Sequence, residues 1–383
     1  MKNKYKIAYA TGSRADYGIV RNYLSFLKND IEIDLSILVT GTHVDEHFGN
    51  TVSIIESDGF KVDCKVNIDI DTNSNARILN SVSIAVKKFG QFFETNKYDL
   101  LIVLGDRYEM MAVVMAAAIQ KIPILHLHGG EITYGNYDEF IRHCITKMSR
   151  FHFASTEVYR KRIIQLGENP NNVYNMGALG AENCRNINCD NVLCDVKILQ
   201  TKSYIVVVFH PETMTNIDLG EQVDVVIRAL KVKSKHYDIV LIGTNADTNA
   251  NVIKQKWLDF AKQKNVKYFE NLNSDSYLYL VKNAVCLVGN SSSGIIEAPS
   301  LGVYSINIGD RQKGRVHGDS VIDVLCNEKI IIQAIDEVIG RAQNKIDFFN
   351  PYFQENVAKR CYETTKEIVL MDNTVAKEFY DLK

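Results

Sequence analysis

Residues 287–297 read Leu-Val-Gly-Asn-Ser-Ser-Ser-Gly-Ile-Ile-Glu. An apolar strand runs into a turn of small polar residues, and the turn opens a helix. Asn290 to Gly294 carry little side-chain bulk and many donors. Backbone N–H groups in such a turn can point at an anion, and a helix N-terminus adds a favourable dipole. Ser291 and Ser292 lie at the centre of the turn. Glu297 follows one helical turn on, placed to accept from a pair of hydroxyls. Phosphate on the turn with ribose on the acid is a nucleotide pattern. The same residues also suit a plain polar turn closed by a capping serine.

Working outward, the chain repeats this strand-to-helix unit. Apolar runs at 7–11, 33–39, 100–104 and 124–127 read as strands, with helical patterns at 19–27, 109–120 and 140–148. The series restarts with strands at 204–209, 239–242, 285–288 and 304–308. Buried, β-branched strands alternating with helices imply parallel sheets covered on both faces. The expected fold is α/β, with two doubly wound, Rossmann-like domains facing a cleft. The small, polar stretch GALGAENCRNIN at 177–188 sits between the series, and Asn350-Pro351 marks a second turn. These divide the chain into 1–180, 181–350 and a helical segment 351–383. In such sheets ligands sit at the carboxyl ends of strands.

Bulk properties narrow the function. The 383 residues exceed one ordinary core, and the formal net charge of −2 offers no basic excess for nucleic acid. The cysteines are scattered, and no CxxC pair occurs. No zinc site is therefore expected, and reduced thiols in a cytoplasmic protein fit better. No long apolar run follows the N-terminal lysines, so no signal peptide is expected. The longest apolar run, 110–119, is too short to span a bilayer.

The polar motifs each follow a predicted strand. Arg14, in the turn after the first strand, suits a diphosphate, or pairs with Asp16. Neither GxGxxG nor GxxxxGK[ST] occurs. Asp106 stands at the end of a buried strand as a candidate catalytic acid. It also suits a helix cap with Glu109 completing a capping box. His126 and His128 alternate with Leu127, and two glycines then lead to Glu131. Two alternate histidines do not by themselves make a metal tetrahedron, so no metal is expected there. Asp138 opens a helix, where the dipole favours its ionised form, and Arg142 lies four residues on to pair with it. Pro211 stops a strand and leaves His210 at its carboxyl end; Asn245 ends the next strand likewise. Arg311 is one of three cations in GDRQKGR at 309–315.

With these residues in hand the chain resembles the hydrolysing UDP-N-acetylglucosamine 2-epimerases of bacterial sialic acid biosynthesis. The matching pieces are GSRADYG (12–18), LGDRYE (104–109), HGGE (128–131), YDEFIRH (137–143), FHPET (209–213), GNSSSGIIE (289–297) and INIGDRQKGR (306–315). The resemblance implies the two-domain GT-B fold, with the C-terminal helix returning to the first domain. It implies that Arg14, Ser291, Ser292, Glu297 and Arg311 hold UDP, with His128 and Asn245 also at the UDP-sugar. Asp106, Glu131, Asp138 and His210 would be the chemical groups. Many relatives carry a glutamate where this chain has His128, so Glu131 is the candidate for that acid role. Animal-type relatives carry a lysine where this chain has Ile19, and that phosphate contact does not carry over. The implied reaction eliminates UDP to leave an unsaturated glycal, then adds water, with no cofactor. It further implies a homodimer or homotetramer. A related branch acts on a nucleotide-linked 2,4-diacetamido-trideoxy sugar. A GT-B glycosyltransferase or a non-catalytic UDP-sugar sensor would share the nucleotide turn but would not need the acids.

Overall fold

A computed structural model describes residues 4–46, 50–215, 217–341, 347–371 and 376–382. Its strands are β1 (Tyr5–Thr11), β2 (Ile33–Val39), β3 (Val62–Lys65), β4 (Leu100–Leu104), β5 (Ile124–Leu127), β6 (Phe151–Ala154) and β7 (Val173–Asn175), then β8 (Tyr204–Val208), β9 (Asp238–Ile242), β10 (Val266–Phe269), β11 (Cys286–Gly289), β12 (Ser305–Ile308) and β13 (Val321–Val324). The first set forms a 7-stranded sheet in the order β3-β2-β1-β4-β5-β6-β7, the second a 6-stranded sheet in the order β10-β9-β8-β11-β12-β13. Every pairing is parallel. Each sheet with its helices is one lobe, and the fold is the expected pair of doubly wound units.

The central strands are apolar throughout because helices cover both faces. LLIVL in β4 and YIVVV in β8 are buried at every position. The helix Tyr108–Ile119, YEMMAVVMAAAI, is apolar nearly all round because helices Asn75–Thr95 and Asp138–Met148 flank it. In both sheets the strand order reverses beside the first strand, between β1 and β4 and between β8 and β11. A reversal sends neighbouring crossovers to opposite faces and leaves a crevice at the strand ends. The turns bearing Arg14, Asp106, His210 and Ser291 lie at those two reversals.

The chain passes from the first sheet to the second between β7, ending at Asn175, and β8, starting at Tyr204, and returns after helix Glu328–Arg341. Its last helix, Val357–Leu370, packs on helix Arg14–Asn29 of the first lobe. Val357, Cys361 and Ile368 join Val20, Leu24 and Leu27 in one buried cluster. Tyr23 and Thr365 hydroxyls meet at 2.6 Å, and Lys366 pairs with Asp30 at 2.8 Å. Glu182, within the outward crossing, accepts the backbone N–H groups of Val357 and Ala358, both at 2.8 Å. Ala178 N–H donates to the Tyr352 carbonyl at 2.8 Å, so the two crossings are bonded to each other. Of the segment 351–383, residues 372–375 and 383 lie outside the described residues.

Candidate active site

A cleft of about 320 Å³ lies between the strand ends of the two lobes. Arg14, Asp106, His128, Glu131, Asp138, His210, Asn245, Ser291, Ser292, Glu297 and Arg311 all line it. Sequence separation hides this convergence; two facing sheet reversals produce it.

The turn after β1 starts the first lobe's side. Ser13 caps helix Arg14–Asn29 by accepting from Asp16 N–H at 3.3 Å. Arg14 does not pair with Asp16. It donates to Asn271 Oδ1 of the other lobe at 2.7 Å. After β4, Asp106 does not cap the following helix either: Arg107 is the N-cap residue and makes no side-chain cap bond. Asp106 is instead ion-paired with the buried Arg142. Arg142 also donates to Thr133 Oγ1 at 2.6 Å. Helical spacing suggested Asp138 as its partner, but the guanidinium turns under the β4 turn, where Asp106 meets it.

After β5 the two histidines part ways. His126 contacts the Gly105 carbonyl at 2.7 Å and Thr146 at 3.1 Å, and burial drives its pKa down to about 3. It is a neutral brace for the β4 and β5 ends. His128 has φ of 64°, which turns the chain sharply out of β5. Its Nδ1 lies 2.9 Å from Glu131 Oε1, which also accepts from Ser155 at 2.6 Å. Arg315, from the second lobe, meets Glu131 Oε2 at 2.7 Å. Burial alone would raise the Glu131 carboxyl; Arg315, His128 and Ser155 overcome it and hold the pKa at about 2.

Asp138 is the first residue of helix Asp138–Met148. Asn136 Nδ2 donates to it at 3.1 Å, and Arg311 lies 3.8 Å away. Burial and the Asp247 carboxylate raise its pKa to about 6 against the pull of Arg311, Arg107 and Asn136. It can therefore gain or lose a proton near neutrality, whereas Glu131 stays ionised.

On the second lobe, Asn290 ties β8 to β11. Its side-chain Oδ1 accepts His210 N–H at 2.7 Å, and its Nδ2 donates to the His210 carbonyl at 2.9 Å. His210 Nδ1 accepts the Asn245 N–H at 3.3 Å and lies 2.8 Å from Thr244 Oγ1. Burial, then Arg311 and Arg107, holds this histidine well below its usual pKa. A neutral ring accepting at Nδ1 carries its proton on Nε2.

The nucleotide-like turn differs from expectation in one respect. Its helix, Ser293–Ile296, is only 4 residues long and passes into a 3₁₀ turn at Ala298–Leu301. So short a helix has almost no macrodipole, and donors must come from the turn and its neighbours. Arg311 and Gln312 brace the turn by donating to the Asn290 carbonyl at 3.1 and 2.9 Å. Glu212 shapes their loop by accepting N–H groups of Asp310 and Arg311 at 2.9 and 3.0 Å. Burial raises the Glu297 carboxyl against Ser293, His128 and Arg315. Nε of Arg311, Nη1 of Arg315 and Nε2 of His128 are buried without a protein partner. These atoms give the cleft unspent capacity toward an anionic, hydroxyl-rich ligand.

Three contributors escaped the sequence reading. Arg107 meets Glu109 at 2.5 Å, Asp247 at 3.4 Å and the Ala246 carbonyl at 3.4 Å, so it spans the lobes. Arg315 crosses in the other direction, also donating to the Ile132 carbonyl at 2.8 Å. Asp247 is the third. Arg107 and Arg315 stand within quoted motifs and Asp247 two residues after Asn245, but their partners across the cleft are far off in sequence. Among the described residues no group of three or more His, Cys, Asp or Glu side chains is placed to hold a metal ion. Nor is any helix among them long and apolar enough to cross a membrane.

Comparison with known proteins is consistent along nearly the whole chain. A family model described as UDP-N-acetylglucosamine 2-epimerase matches residues 26–366. The polysialic acid biosynthesis protein P7 of Escherichia coli is 46% identical over 98% of this chain and 97% of its own. The GDP/UDP-N,N'-diacetylbacillosamine 2-epimerase (hydrolyzing) of Campylobacter jejuni is 35% identical over 99% of this chain and 100% of its own. Among solved structures, the Methanocaldococcus jannaschii UDP-GlcNAc 2-epimerase in complex with UDP-GlcNAc and UDP superposes with a TM-score of 0.80. It is 18% identical and covers 94% of this chain and 99% of that one, a likeness of fold.

Proposed function

Since the chain belongs to the UDP-N-acetylglucosamine 2-epimerase family, we propose that it hydrolyses UDP-N-acetylglucosamine to N-acetylmannosamine and UDP, feeding sialic acid biosynthesis. One observation carries the reading: acids from the first lobe and a nucleotide-like turn backed by Arg311 from the second face one cleft. Elimination requires a base for a weakly acidic carbon-bound proton, a proton source on the other face of the sugar, and support for departing diphosphate. Asp138, titrating near neutrality, fits one proton-transfer role. Asp106 fits another, and His210 Nε2–H is a neutral donor. Glu131, held ionised, fits a fixed charge that orients His128. Arg14, Arg311, Ser291 and Ser292 fit the diphosphate, and Glu297 the ribose. In this reading 1–180 brings most acids, 181–350 brings the UDP site, and 351–383 straps back to the first unit.

The test is incubation with UDP-N-acetylglucosamine alone in deuterium oxide. The expected products are UDP and N-acetylmannosamine carrying deuterium at carbon 2. Product without deuterium at carbon 2 would overturn the elimination route, and a requirement for an acceptor would favour a glycosyltransferase. The Campylobacter jejuni relative supports a second reading. In it the same reaction runs on a nucleotide-linked 2,4-diacetamido-trideoxy sugar. Side-by-side kcat/KM for the two nucleotide sugars decides between them.

A further inference from the structure

We propose that Asp247 is a positioning residue for this reaction: it stands on the second lobe behind Arg107 and acts across the cleft on Asp138 of the first. The inference rests on the reaction read above, since Asp138 is one of its proton-transfer candidates.

The geometry is a shortage of positive charge. Asp247 follows β9 and is buried, with Oδ1 3.4 Å from Arg107 Nη1. Its Oδ2 is buried with no protein partner, as is Oε2 of Glu109. Arg107 is shared, because Glu109 takes its Nε at 2.5 Å. Asp138 has Arg311 only at 3.8 Å. Asp138, Asp247, Glu109 and Asp16 thus draw on Arg107 and Arg311, and Glu212 faces Arg311 as well. Buried carboxyls that outnumber their cations cannot all ionise together, and the group best able to hold a proton keeps it.

The groups facing Asp138 come from four elements. Arg311 on 309–315 and Arg107 on the β4 turn favour its ionised form, as do the Asn136 amide and the start of its own helix. Burial and Asp247 oppose them. Asp247 in turn faces Arg107, Arg311 and the phenols of Tyr108 and Tyr137. Its loop is held to the first lobe: Asn249 N–H donates to the Thr72 carbonyl at 2.7 Å, and Thr248 Oγ1 to Asn75 Oδ1 at 3.0 Å. Asp247 therefore faces Asp138 where the lobes meet, and parting the lobes would take both Asp247 and Arg311 from Asp138, of which Asp247 has the larger effect. Closing the cleft and protonating Asp138 become one linked event.

The experiment has two arms. Calorimetry of UDP binding in buffers of different ionisation enthalpy counts protons taken up on closure. Wild type should take up more protons near pH 6.5 than Asp247→Asn, with UDP affinity changed less than about threefold. The pH profile of kcat, on whichever nucleotide sugar the wild type turns over, reads the same coupling in catalysis. In Asp247→Asn the limb governed by Asp138 should move to lower pH by about one pH unit, the direction expected when a like charge is removed. A merely structural Asp247 would lower activity without moving that limb. Equal proton uptake, or an unmoved limb, overturns the proposal. Should Asp247→Asn not fold, Asp138→Asn supplies the decision: its UDP binding must lose the extra proton uptake, and uptake that persists overturns the proposal. The calorimetric arm needs no turnover, so failure of the proposed reaction and failure of this inference read out separately.

Discussion

Asp138→Asn and Asp106→Asn replace carboxyls of like position but unlike surroundings. Each should lower kcat by at least about 10²-fold, as loss of a general acid or base does, while UDP still binds; near-normal kcat in both would make them structural. Asp106→Asn should also lower the melting temperature, since Arg142 beneath it is buried and would lose its close ion pair. Glu168 is the contrasting case, far from the cleft in sequence and role. It is buried against His152 at 3.1 Å, Lys147 at 2.6 Å and Lys377 at 2.6 Å. Burial would raise its carboxyl, but His152 and the lysines bring it from 4.5 to about 2. A depressed folded-state pKa adds stability that is full above about 4.5 and is lost as pH falls toward 2. Glu168→Gln should therefore destabilise by about 2 kcal/mol at pH 7 and by little near pH 2, as read by urea unfolding at both pH values. At this scale the sequence exposed the cleft residues because most stand in turns that follow an apolar strand. It did not expose Arg107, Arg315 or Asp247, whose partners are set by how two lobes face each other. Arg142 shows the same limit in reverse: helical spacing offered Asp138, and tertiary packing supplied Asp106.

Elements follow the same division between local and global causes. The long central strands were legible because both faces are buried and the apolar run is unbroken. β3, β7, β10 and β13, of three or four residues each, have at most one fully buried position apiece. β6, FHFA, is wholly buried but carries His152 within it. None of these gave a readable period. The turn at 289–294 was legible as a turn, but the shortness of its helix was not, since Ile295 and Ile296 continue an apolar pattern that Pro299 then breaks. Gly289 is where this element is least forgiving. Its φ is 141°, and a Cβ there would land on the Val208 carbonyl. That carbonyl accepts Asn290 N–H at 3.1 Å, inside the β8 to β11 reversal. Gly289→Ala should cost at least about 3 kcal/mol through strain and lost pairing. A melting temperature equal to wild type would refute it.

For the whole molecule, the cleft is lined by residues of both lobes. Arg14 to Asn271, Arg107 to Asp247 and Arg315 to Glu131 are polar contacts at the rim and floor, and polar interfaces of this kind permit relative motion. Saturating UDP should reduce the radius of gyration measured by X-ray scattering; superimposable profiles with and without UDP would count against closure. The sequence foretold two doubly wound units, but not that the crossings are bonded together. That lacing, Glu182 on the start of the last helix and Ala178 on Tyr352, has a mechanical consequence. A chain that passes between two bodies at two separate places leaves them free to shear and twist. Sewn at one seam, the passages act as a single pivot, and the bodies can only swing about it like covers on a book's spine. Each swing then retraces one arc, and the two walls of the cleft come together in the same register each time the lobes meet.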